Sequence, residues 1–121
     1  MGLTSEFFQP FEFFCKCDKK NCGAVPVKPE VIAKLNAMRA EYGYAMAINS
    51  GSRCEYWNSK IGGVPSSQHL KGNAVDIRAV GIGKYRLLEL ALKHGFTGVG
   101  IGQTFIHLDI REIAAVWPAK N

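Results

Sequence analysis

Two stretches of this chain, NAVDIRAV at 73–80 and TFIHLDIR at 104–111, alternate apolar and polar residues strictly enough to dictate what they become. A period of two sends successive side chains to opposite faces of a strand. In the first stretch Ala74, Asp76 and Arg78 share one face, and Val75 and Ile77 share the other. In the second, Phe105, His107, Asp109 and Arg111 oppose Ile106, Leu108 and Ile110. Each strand therefore needs a core on its apolar side, and a slip of one residue would bury the charges instead. The opposite side carries imidazole and carboxylate groups.

Helices supply the apolar partner. PEVIAKLNAMRAEYG places Val31, Ile32, Leu35, Met38 and Tyr42 at helical spacing, with Pro29 in the first turn and Gly43 at the end. GKYRLLELALKHG forms a second helix that Gly95 closes. AMAINSG reads as a strand entering a turn, and EYWNSKIGG as a short helix stopped by Gly62 and Gly63. The parts are those of an α+β fold, with two main helices and roughly three or four strands. A chain of 121 residues has room for one core and not for two, so a single domain over 1–121 is expected. Its aromatic and cysteine-bearing opening, residues 1–27 with Phe7, Phe8, Phe11, Phe13 and Phe14, should pack on that core as an arm.

Composition narrows the partners. No run approaches the roughly 18 to 20 apolar residues of a membrane helix, so no membrane partner is expected. The opening MGLTSEFF lacks the features of a signal peptide, and Glu6 stands where N-myristoylation requires Ser or Thr. A net charge of +5 suits an anionic partner such as a bacterial envelope. The basic residues form no long run and show no RNA-binding aromatic signature, so nucleic acid is not expected, and the chain should be a monomer. Three of the four cysteines crowd into CKCDKKNC as Cys15, Cys17 and Cys22, with Cys54 far downstream. They allow disulfides in three connectivities, a structural zinc, or reduced thiols. Their spacing is not the usual CxxC, and without an export signal reduced thiols are expected.

His69 falls in the turn before the first alternating strand. If the two strands are neighbours, about 4.8 Å apart, His69, Asp76 and His107 can converge on one point. Two imidazoles and a carboxylate can hold a catalytic zinc with one position open to water, a set suited to amide hydrolysis. The same residues also suit hydrogen-bonded histidines and a solvated carboxylate, as His94 suits a partner for the end of its helix. Spacing alone leaves both open.

SQHLKGNAVD at 67–76 and FIHLDIR at 105–111 together resemble the zinc D-Ala-D-Ala peptidases of the Hedgehog/DD-peptidase fold, and most closely the single-domain branch found in phage endolysins. SGSRCEYWNSKIGG, FFCKC and GFTGVGIG are similar to further segments of that family, so the resemblance runs from Leu3 to Trp117. It implies a small α+β domain with an antiparallel sheet and one catalytic zinc held by His69, Asp76 and His107. It further implies that Arg53 holds a substrate carboxyl or carbonyl oxygen, that Ser67 contacts substrate, and that Gly72 and Ala74 permit close packing near the metal. Two positions depart from the family: Thr104 stands where several relatives carry an acid three residues before the last ligand, and Trp57 where many carry histidine. Asp109 is then the nearest acid, either as the catalytic base or as a group orienting a ligand histidine. The implied activity is hydrolysis of peptidoglycan stem peptides, at the D-Ala-D-Ala bond or at a cross-bridge. The implied setting is a phage-encoded protein made in the host cytoplasm and acting on the cell wall. Alternatives within the fold are a zinc-bearing binding module without catalysis, and a virion or tail component.

Overall fold

The computed structural model of the protein describes residues 7–19 and 22–119. The readings of the first six residues, concerning export and acylation, lie outside that range. No helix among the described residues is long and apolar enough to cross a membrane.

The chain opens with a 3-10 turn at Pro10–Phe13 and continues through α1 (Pro29–Tyr42), β1 (Ile48–Ser50) and α2 (Glu55–Lys60). A second 3-10 turn at Gln68–Lys71 leads into β2 (Ala74–Arg78), α3 (Gly81–Lys93), β3 (Gly98–Ile101), β4 (Phe105–Asp109) and β5 (Ala115–Pro118). The helix boundaries follow local chemistry. Pro29 starts α1 where its missing N–H costs nothing, and Gly43 ends it at φ 81°, a left-handed conformation that side chains resist.

Five strands form one sheet in the order β1-β2-β4-β3-β5. The α+β reading holds, and three of the four pairings are antiparallel. The fourth is parallel: after β4 ends opposite the start of β3, residues 110–114 carry the chain across to the far edge, where β5 runs alongside β3. Sequence periodicity identifies neither β3 nor β5, because GVGI and AVWP contain residues that strands usually avoid.

The apolar residues of the two alternating strands, Val75, Ile77, Ile106 and Leu108, are buried as the pattern requires. They join Val31, Leu35 and Met38 of α1 and Leu87 and Leu90 of α3 in one core. Full burial of each such side chain contributes roughly 1.5 to 3 kcal/mol. Phe8 and Phe13 of the opening segment belong to the same core and meet edge-on at 5.7 Å. Ser52 N–H donates to the Phe13 carbonyl, linking this segment to the loop that follows β1.

Candidate metal centre

The pairing of β2 with β4 places Asp76 directly opposite His107. Strand alternation puts both on the sheet face away from α1 and α3, so their side chains meet. His69 reaches them from the 3-10 turn, which the Ser67 hydroxyl caps by accepting from His69 N–H at 3.2 Å. Gly72 closes that turn at φ 74°, and a Cβ there would strike the Pro26 carbonyl. Glycine at this position brings the N-terminal segment close, which differs from the metal-side packing that the family resemblance implies for it.

Asp76 Oδ1 lies 3.2 Å from His69 Nε2 and 3.0 Å from His107 Nδ1. One ligand atom from each of these three residues lies within 4.8 Å of the others. The outer ring nitrogens fix the tautomers. His69 Nδ1 sits 2.8 Å from the Gly51 carbonyl, and His107 Nε2 sits 2.7 Å from Asp109 Oδ2. Both partners only accept, so each outer nitrogen carries the proton and each inner nitrogen of a neutral ring presents a lone pair. Two lone pairs and a carboxylate oxygen then converge with no donor among them. Only a cation, or a further proton on each ring, satisfies such a group. The donor set, two nitrogens and one oxygen with both rings braced from behind, fits a zinc ion with an open coordination position.

The protonation equilibria follow the same geometry. With that further proton on each ring, burial opposes ionisation of Asp76, but hydrogen bonds from His107 and His69 outweigh it and hold the carboxyl well below the usual range. Burial pulls His107 down, and its bonds to Asp109 and Asp76 more than restore it, leaving it above the ordinary histidine value. Asp109 is fully buried, yet Arg111 and His107 keep it ionised and well below the usual carboxylate value. Arg111 binds both Asp109 oxygens, with Nη2 at 2.6 Å from Oδ2 and Nε at 2.9 Å from Oδ1.

Room for this pair comes from β3. Gly98 stands opposite Asp109, and a Cβ there would collide with the Asp109 carboxyl and Arg111 Nε. Gly100 likewise makes room for the ring of Trp117, which lies 5.4 Å from the His107 ring. The glycines of GVGI thus face the site, and the large groups fill the space they leave.

Arg53 sits at the other side of the centre. Its Nη2 donates to Asp76 Oδ2 at 3.1 Å, Nη1 to Asn58 at 3.0 Å and Nε to Ser50 at 3.2 Å. Gly63 permits the Arg53–Asn58 approach, since a Cβ would overlap Asn58 Oδ1.

Arg53, Ser67, His69, Asp76 and His107 line a single open cleft of about 630 Å³. Asp109 does not line it and stands behind His107. Thr104 is exposed just before β4 begins. Sequence reasoning missed Trp117, Lys71, Phe105 and Arg111 as cleft residues. The alternation of TFIHLDIR already put Phe105 and Arg111 on the His107 face; for Trp117 the chain offers no local signal, because its position depends on the parallel pairing of β5.

The sequence profile of the peptidase M15 family matches residues 6–109. The chain belongs to that family. The M15 match takes in Arg53, Ser67 and all three convergent residues, and it ends at Asp109, short of β5. A zinc D-Ala-D-Ala carboxypeptidase from Streptomyces albus G is 39% identical to the chain over 67 residues, covering 54% of this chain and 26% of the enzyme. The matched stretch is thus about a quarter of that relative's length.

Proposed function

We propose that this M15 chain is a zinc metallopeptidase that hydrolyses a peptide bond in the stem peptides of bacterial peptidoglycan. The observation that carries the reading is the convergence of His69 Nε2, His107 Nδ1 and Asp76 Oδ1, with both outer ring nitrogens held by acceptors. A zinc ion held by such residues supplies Lewis-acid polarisation of a carbonyl and lowers the pKa of a water to about 7.

The remaining roles belong to the chain's own groups. Arg53 uses three of its N–H groups on Ser50, Asn58 and Asp76, so it both fixes the third ligand and retains donors, out of a guanidinium's five, for a substrate carboxylate or carbonyl oxygen. The Ser67 hydroxyl accepts from the backbone and keeps its own proton to donate into the cleft. Asp109 acts as a positioning residue, holding His107 in the tautomer whose Nδ1 faces the centre. Trp117 and Phe105 give the cleft apolar walls against which the substrate's side chains can lie. The D-Ala-D-Ala bond is the favoured target because the Streptomyces relative bears that name; a cross-bridge bond is the alternative. A wall-directed role, in lysis or in entry, follows the resemblance to endolysins.

A second reading, a zinc-bearing binding module, has one specific observation in its favour. Among the described residues Asp76 is the only carboxylate lining the cleft, and both imidazoles and Arg53 already engage it. Mass spectrometry of purified peptidoglycan incubated with zinc-loaded protein separates the two. Release of D-Ala or cleaved stem peptides, suppressed by a chelator, is expected; intact peptidoglycan at full zinc occupancy would leave the binding module.

A further inference from the structure

A second cluster of potential metal ligands lies apart from the cleft. Cys15, Cys17, Cys22 and Cys54 bring their sulfurs within 4.8 Å of one another, and all four are free thiols. We propose that these four cysteines bind a structural zinc ion, independent of the site formed by His69, Asp76 and His107.

The distances suit a tetrahedron. Four sulfurs at the usual zinc–sulfur distance of about 2.3 Å stand about 3.8 Å apart. Cys15 and Cys54 Sγ are 3.8 Å apart, far beyond the roughly 2.05 Å of a disulfide. The surroundings suit thiolates. Backbone N–H groups point at two of the sulfurs: Cys54 N–H donates to Cys15 Sγ at 3.3 Å, and Trp57 N–H to Cys54 Sγ at 3.4 Å, the latter capping the N-terminus of α2. Four thiolates around one zinc carry a net charge of about −2. The Arg53 guanidinium and Lys19 line the same pocket as Cys22 and Cys54, and Lys16 belongs to the same short segment. Four sulfur ligands fill the coordination sphere, which distinguishes a structural zinc from the open three-residue set in the cleft.

The fold gives such an ion something to do. Residues 15–19 and 22–27 belong to no helix or strand, and Cys54 begins α2 immediately after Arg53. Binding releases the four thiol protons to solvent and ties the N-terminal segment to the loop that aims Arg53 at Asp76. The CxCx4C spacing differs from ordinary zinc knuckles because the fourth ligand arrives from a distant turn.

The test uses the full chain purified under reducing conditions without chelator. Elemental analysis should find about two zinc ions per chain, and His69→Ala should lower this to about one. Cobalt(II) substitution should give sulfur-to-cobalt charge-transfer bands in the near ultraviolet that survive His69→Ala and vanish in the Cys17→Ser/Cys22→Ser double variant. Should that variant fail to fold, zinc X-ray absorption of the unaltered protein still decides, since the proposal requires a shell of sulfur neighbours. Absence of that shell together with absent cobalt–thiolate bands overturns it, as does mass spectrometry of the freshly purified, denatured protein showing the cysteines paired in disulfides. Survival of the bands in His69→Ala also keeps this site distinguishable from the cleft, whichever reading of the cleft holds.

Discussion

Replacing Asp109 by asparagine tests how the centre is braced. The carboxylate accepts from His107 Nε2 through Oδ2 and from Arg111 through both oxygens, while fully buried. An amide has one acceptor oxygen to offer. If that oxygen faces His107, the amide N–H groups confront the Arg111 guanidinium, donor against donor. If it faces Arg111, the amide donates to His107 Nε2 and drives the ring to the tautomer with its proton on Nδ1. That proton then occupies the lone pair facing Asp76. Loss of such a bracing partner weakens metal affinity about 10- to 100-fold, equivalent to about 1.4 to 2.7 kcal/mol. The assay is a zinc titration against a chelator of known affinity, read alongside turnover at saturating zinc. Weaker zinc binding with activity largely restored at high zinc is expected. Wild-type zinc affinity with turnover abolished would refute the bracing role and return Asp109 to the part of a general base.

Two further perturbations probe the supports of the fold. Gly98→Ala forces a Cβ into space held by Asp109 and Arg111, and overpacking of this kind costs about 1 to 3 kcal/mol. Urea unfolding of the metal-free protein should show that loss, and a zinc titration should show weaker binding, because the displaced carboxylate no longer holds His107. Glu41 is paired with Lys93 at 2.6 Å and with His94 at 2.9 Å, and the bonds from Lys93 and then His94 hold its pKa below the ordinary glutamate value. A depressed carboxylate contributes stability above its unfolded pKa, about 4.3, and loses it as pH falls through the folded value. The stability gap between the wild type and Glu41→Gln should therefore be open at pH 6 and close toward pH 3. A gap unchanged across that range in denaturant melts would rule the pairing out as its source.

How far the site is legible in the sequence depends on the range of the forces that build it. His107 and Asp76 are legible because alternation fixes the face a side chain takes, and the pattern spans only a few residues. Their direct opposition is not, since the β2–β4 register is set by the whole apolar face and by the turns at its ends. The strand character of GVGI is hidden for a related reason. Its glycines answer to Asp109 on β4 and Trp117 on β5, so the pressure that selects them acts across the sheet. Asp109 shows the same limit: its place beside His107 is readable from i and i+2 spacing, but its burial depends on the space beside Gly98 and on Arg111. The cysteines look irregular in the chain because Cys54 enters their cluster from another turn.

The parallel edge strand has a consequence for how this protein can change. Everything in the cleft that would grip a metal lies between β1 and β4, inside the part that matches the family, whereas Trp117 and Ala119 complete the cleft from beyond it. β5 is anchored by its ladder to β3 and by Arg111 stacked 4.2 Å over the Trp117 ring. A substitution along this strand that keeps the Trp117 ring in place can therefore alter which ligand the cleft accepts while the metal-holding atoms stay where they are. The shape of the cleft and its grip on a metal are physically separable here, and the last strand is the natural place to retune one without disturbing the other.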